Sequence, residues 1–205
     1  MSSITIRRRR LLVCAPVLAL ALSGCDKLPG LAAPKPSFKA VDITGIEMGK
    51  GLVLSDAEGK LRTMADFKGK VTVVFFGFTQ CPDVCPTTLA EFVTIKKALG
   101  ADGARLQPVF ISVDPERDTA EILKAYMAAF DPSFVALRGT PDQTAAALKS
   151  FKAFYQKVPG KALGSYTIDH TAGAYVFDAE GRPRLFVRYG QPLEDWLSDL
   201  RQLMS

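Results

Sequence analysis

Histidine is almost missing from this chain: His170 is the single imidazole in 205 residues. Cysteine is scarce as well, with four residues, Cys14, Cys25, Cys81 and Cys85. That count excludes a fold held together by many bridges. With 48% of the residues apolar, the chain instead has enough hydrophobic material for an ordinary core. Long apolar runs are absent too. The longest, LLVCAPVLALAL from Leu11 to Leu22, falls short of the ~20 residues a spanning helix needs. No internal repeat is visible. The formal charge of +5 comes largely from one place, Arg7 to Arg10. No acid precedes Cys25, so beyond it 22 of the 26 basic residues face 21 acids. No basic patch remains to argue for nucleic acid.

The first 24 residues have the order of an export signal. A cationic stretch, Arg7–Arg10, precedes the apolar run, and LSGC ends at Cys25. This resembles a bacterial lipoprotein signal, in which the cysteine of the box is lipidated and becomes the mature N-terminus. Residues 1–24 are therefore expected to be removed. Cys25 is expected to carry lipid, and residues 25–37, rich in Pro, Ala and Gly, to form a tether. The domain is expected over 38–205. The expected location is the periplasmic side of the bacterial inner membrane, lipid-anchored; Asp26 after the lipidated cysteine resembles an inner-membrane retention signal. Only Cys81 and Cys85 then remain as thiols, in an oxidising compartment where an unprotected pair tends to close.

Along the domain, residues 41–70 read as short strands with glycine turns, at least partly a hairpin. KVTVVFFGF (70–78) is an apolar, β-branched and aromatic run suited to a buried central strand, and RLQPVFISVD (105–114) reads as the next buried strand. A third strand is expected over 134–139. Helices are expected over 87–99, after Thr119, over 140–156 and from Pro192 to Met204. Residues 157–171 read as a loop, and 174–190 as a hairpin turning at Glu180–Gly181. Alternating strands and helices followed by a hairpin predict an α/β fold. It is similar to the peroxiredoxin-like variant of the thioredoxin fold: a mixed central sheet flanked by helices, with an N-terminal hairpin extension.

In such a sheet, ligands gather at the carboxyl ends of the parallel strands. FTQCPDVCPTTL places Cys81 and Cys85 there, and His170 precedes a strand starting from the same edge. Each cysteine precedes a proline, which disfavours the α region. That pattern places Pro86 at the first helical position and Cys85 as N-cap. A helix N-terminus favours thiolate, the form both a nucleophile and a metal ligand require. Two thiolates and one imidazole suit copper, whereas a structural zinc site wants four protein ligands. Solvent or a carboxylate can fill a fourth place. Asp169 beside His170 reads as an orienting group.

FTQCPDVCPTTL, VDPERDT and YTIDHT together resemble the Sco/SenC family of copper-binding, membrane-anchored, thioredoxin-like proteins, over nearly the whole domain. Cys81, Cys85 and Pro86 match the family's C-x-x-x-C-P, and Asp169, His170 and Thr171 its later D-H-[ST]. The resemblance implies copper held by Cys81, Cys85 and His170. It also implies delivery of copper or reducing equivalents to the CuA centre of cytochrome c oxidase. The partners it implies are the oxidase subunit carrying that centre, and other periplasmic copper chaperones or thiol reductants. In several relatives the segment before the histidine is rich in acids; here KVPGKALGSY carries lysines.

The rival reading is a thiol–disulfide oxidoreductase that reduces the cysteines of the apo-CuA site, with Cys81 and Cys85 as its redox pair. Its usual motif is C-x-x-C, one spacer shorter, and DHTAGAYVF lacks the proline such proteins carry opposite the pair. A structural staple would close only a small loop. Asp114 and Asp118 read as turn and cap residues, Phe75, Phe76 and Phe78 as core with Phe78 nearest the site, and Trp196 as packing.

Overall fold

The computed structural model describes residues 37–205. The leader, Cys25 and all but the last residue of the tether lie outside the described residues. Strands β1 (Val41–Asp42), β2 (Leu54–Asp56), β3 (Leu61–Arg62) and β4 (Val71–Gly77) lead into helix α1 (Val84–Ala98). Then follow β5 (Leu106–Ser112), α2 (Ala120–Ala128), β6 (Val135–Arg138) and α3 (Pro141–Ser150). The chain ends with β7 (Tyr155–Pro159), β8 (Tyr166–His170), β9 (Ala174–Phe177), β10 (Pro183–Val187) and α4 (Leu193–Met204).

One eight-stranded sheet runs in the order β1-β10-β9-β4-β5-β6-β2-β3. Strands β4, β5 and β6 pair in parallel, and the other pairings are antiparallel. Every residue of β4 and β5 is buried. Burial on both faces is why these strands are mostly apolar, with Thr72, Gln107 and Ser112 the buried polar exceptions. Successive side chains leave opposite faces, so the neighbours Phe75 and Phe76 enter different cores. Phe75 joins Phe92, Phe110 and Trp196 beneath α1 and α4. Phe76 joins Phe151, Tyr175 and Phe177 on the α3 side. Each such ring removes enough apolar surface from water to stabilise the fold by ~1.5–3 kcal/mol.

The helix signals act as their chemistry requires. The Thr119 hydroxyl accepts from Ile122 N at the start of α2, and Thr140 with Gln143 forms a capping box on α3. The N-terminal hairpin is β2–β3, its turn held by Asp56, which accepts from Glu58 N, Lys60 N and Arg62 Nε. Strand β1 instead pairs with β10 at the far edge.

Three expectations change. Helix α3 stops at Ser150, short of the expected Gln156, and Tyr155 opens β7 instead. Residues 157–171 are not a loop. β7 and β8 pair from Tyr155↔His170 to Pro159↔Tyr166 as a separate two-stranded sheet. Alternating aromatic and β-branched residues in YTIDH favour the strand, and Gly164, at φ 76°, fits the turn. Helix α1 also starts earlier than expected, with Asp83 as N-cap, which makes Cys85 the second helical residue and Pro86 the third. First-turn N–H groups have no helical partner, so a proline there forfeits no hydrogen bond.

Candidate metal centre

Strand β4 ends at Gly77, and the chain turns through Phe78–Gln80 to Cys81, whose N–H donates to Phe78 O at 3.2 Å. Four residues later, in the first turn of α1, Cys85 is fully buried. The Cys85 backbone N–H points at Cys81 Sγ, 3.4 Å away. A donor left free at the helix N-terminus is thus aimed at the sulfur, which favours negative charge there.

His170, the last residue of β8, enters from the opposite side, with Nε2 3.6 Å from Cys85 Sγ. The ligand atoms of Cys81, Cys85 and His170 all lie within 4.8 Å of one another. Imidazole Nδ1 lies 3.0 Å from Thr171 O. A carbonyl only accepts, so Nδ1 carries the proton and Nε2 turns its lone pair to the sulfurs. The orienting group is therefore this backbone carbonyl and not Asp169, as expected from the sequence. Phe75 and Phe78 pack edge-on against the imidazole at 5.9 and 6.0 Å. Both rings belong to the core and also wall the site.

The two thiols are reduced and strongly coupled. The hydrogen bond from Cys85 lowers the Cys81 pKa to about 5, against burial and with help from the Asp83 and Cys85 N–H groups. The same bond, then burial, pushes Cys85 far up. Near neutral pH the pair holds one proton, with the charge on Cys81. Gly77 makes room for this packing: a Cβ there would lie 2.8 Å from Cys85 Sγ and 2.7 Å from the Phe110 ring. A cavity of about 310 Å³ opens over the site between the Cys81–Val84 turn and strand β8. A larger cavity, about 580 Å³, lies beside Met64 and Gly181 and contains none of these groups.

Asp114 and Asp118 are more than turn and cap residues. Both are fully buried. Asp118 accepts from Thr79 N, from Thr79 Oγ1 at 2.6 Å and from Ser112 Oγ at 2.6 Å, tying the end of β5 to the segment before Cys81. Burial raises its pKa. Asp114 accepts from Arg117 and from the Tyr166 hydroxyl. The available signal was an Asp-Pro-Glu-Arg-Asp run directly after a buried strand, at the edge that bears the cysteines.

Two thiols and an imidazole converging at the strand ends of a mixed α/β sheet define a site for a soft metal ion or for thiol redox chemistry. The model of the SCO1/SenC family matches residues 43–205, so the chain belongs to the SCO1/SenC family. A SCO2-like protein of Rickettsia felis is 36% identical over 151 residues, 72% of this chain and 74% of that protein. Among solved structures, Bradyrhizobium japonicum ScoI with copper bound is 41% identical at a TM-score of 0.69, covering 76% of this chain and 99% of that one. BsSco, a member of the Sco family of cytochrome c oxidase assembly proteins with an identified disulfide switch, has a TM-score of 0.63. Its likeness covers 82% of this chain and 99% of that one, and at 24% identity it shows the shared fold. The thioredoxin-like fold expected from the sequence is the fold of these neighbours.

Proposed function

We propose that this protein is a membrane-anchored copper chaperone that assists assembly of the CuA centre of cytochrome c oxidase. The observation that carries the reading is the convergence of Cys81 Sγ, Cys85 Sγ and His170 Nε2 within 4.8 Å. The donors are soft and borderline, and three in number, which suits copper better than structural zinc. Bound copper ScoI at 41% identity supports the same assignment. Copper is the cargo. Cys81 is ready as thiolate at neutral pH, Cys85 gives up its proton on binding, and Nε2 already presents its lone pair. Phe75 and Phe78 keep water from one side, while the cavity leaves the other side open to an acceptor.

Copper titration of the purified protein tests this. Native protein is expected to bind one Cu(II) with a thiolate-to-copper charge-transfer band. His170→Ala is expected to lose tight Cu(II) binding, and Cys81→Ser with Cys85→Ser to lose it entirely. Unchanged binding in His170→Ala defeats the three-ligand reading.

A second reading is favoured by the thiolate character of Cys81. Its sulfur attacks a disulfide on the acceptor, expelling one acceptor thiolate, and Cys85 then displaces the second. Two thiols become a disulfide as the acceptor's disulfide becomes two thiols. Cells carrying His170→Ala that still assemble active oxidase would favour this reading over delivery.

The anchor belongs to the same proposal. Residues 1–24 act as signal, Cys25 carries lipid, and residues 25–37 tether the domain 38–205 on the periplasmic side of the inner membrane. Among the described residues no helix is long and apolar enough to cross a membrane. Mass spectrometry of membrane-extracted protein should find a diacylglyceryl-modified Cys25 at the N-terminus; an intact Met1 defeats the anchor.

A further inference from the structure

His170 belongs to a hairpin that shares no ladder with the main sheet. Among the strand residues of β7 and β8, Ile168 alone is buried. The β9–β4 pairing brings the end of β8 to this sheet edge, but no backbone ladder holds the hairpin itself against the cysteine turn. One side chain reaches both. Arg117 Nη1 donates to Gln80 Oε1 at 3.0 Å, next to Cys81, and to Tyr166 O at 3.0 Å, the first residue of β8. Its Nε donates to Asp114, and the second oxygen of Asp114 accepts from the Tyr166 hydroxyl at 2.8 Å.

The guanidinium also stacks 3.7 Å from the centre of the Tyr166 ring and lies 5.6 Å from that of Phe78. Phe78 in turn packs on the His170 imidazole. Two routes thus run from one guanidinium to the two halves of the site. The Lys157–Glu116 pair also ties the hairpin down at 2.8 Å, but both groups are exposed and such pairs are weak.

We propose that Arg117 is a positioning residue for the metal centre: through Gln80 and Tyr166 it sets the spacing between the cysteine turn and the strand that bears His170. A planar guanidinium can donate in several directions while stacking on an aromatic face, which a lysine cannot reproduce. The inference rests on the copper reading above, but its first arm needs no metal.

In the reduced, metal-free protein, amide hydrogen exchange over 167–171 should quicken at least tenfold in Arg117→Met, with β4 and β5 unchanged. Tyr166→Phe, which keeps the stack and loses the Asp114 bond, should quicken the same amides less. In the second arm, Cu(I) affinity is measured by competition with a colorimetric chelator. Arg117→Met should weaken it about tenfold when His170 is present and less than twofold in a His170→Ala background, with Arg117→Lys rescuing only part of the loss. That non-additivity marks action through His170. Native exchange over 167–171 in Arg117→Met, or an equal loss with and without His170, overturns the proposal. If Arg117→Met does not fold, Arg117→Lys and Tyr166→Phe decide by the same criteria. Native protein that binds no copper overturns the copper reading, while the exchange arm still judges the positioning role.

Discussion

Cys85 Sγ lies 3.6 Å from His170 Nε2, although 85 residues separate them in the chain. The contact exists because β9, which follows His170 after a short connection, pairs antiparallel with β4, which precedes the cysteine turn. Neighbouring strands running in opposite directions bring the start of one beside the end of the other. A buried sulfur on a helix and an imidazole on a detached hairpin therefore meet at one sheet edge.

The first prediction concerns the two sulfurs. Reduced, metal-free protein treated with iodoacetamide should show one fast thiol, Cys81. Its rate should hold from pH 8 to pH 6 and fall through about 5, below the ordinary value of 9.0. In Cys85→Ala the midpoint should rise, because the Cys85 hydrogen bond is the largest cause of the lowering. The folded pKa lies below the unfolded one, so the thiolate's contribution to stability is full above about 9 and is lost as pH falls through about 5. Native protein should lose more stability than Cys81→Ser between those limits. A native alkylation midpoint near pH 9 contradicts the coupling.

Gly77→Ala should damage both fold and site. The added methyl meets Cys85 Sγ and the Phe110 ring at 2.8 and 2.7 Å, in a fully packed core. Overpacking of this kind costs about 1–3 kcal/mol. Urea unfolding should show that loss, and copper affinity should fall with it because Cys85 must move. Native copper affinity in a folded Gly77→Ala protein would show that Cys85 is free to shift.

Asp118→Ala should destabilise the protein without touching a proposed ligand. It removes the acceptor of Thr79 N, Thr79 Oγ1 and Ser112 Oγ in a buried setting. Each buried donor left unpaired costs ~1–3 kcal/mol. Asp118→Asn keeps one carbonyl acceptor and should lose less. The comparison is read from denaturant midpoints; equal midpoints for native protein and Asp118→Ala would remove the strut role from this carboxylate.

Oxidation should switch the site off. A Cys81–Cys85 disulfide removes both thiolates, so protein treated with diamide and desalted should take up no tightly bound copper. Dithiothreitol should restore uptake. Stoichiometric tight binding by the oxidised form would place copper on other groups.

Much of the site was legible because its residue types are rare. One imidazole and one thiol pair cannot be confused with background, and the buried strand that leads into the cysteine turn is a nearly continuous apolar run. The groups that hold the site were harder to read. Asp118 and Arg117 are common residues in a turn-like segment, and their partners Thr79, Ser112, Gln80 and Tyr166 come from other elements. In the hairpin β7–β8, lysines and glycines hide a strand pattern that buries only Ile168. Pro86 obscures the start of α1, because a proline and the residue before it are disfavoured inside a helix but tolerated in its first turn.

By itself the sequence determined the ligand types, the family resemblance and the alternation of strands and helices, since these depend on residue chemistry and local periodicity. Only the tertiary structure decided which nitrogen of His170 faces the sulfurs, which cysteine carries the charge, and what ties the hairpin to the cysteine turn. Those outcomes depend on burial and hydrogen-bond partners from distant segments, and such partners exist only once the sheet has assembled.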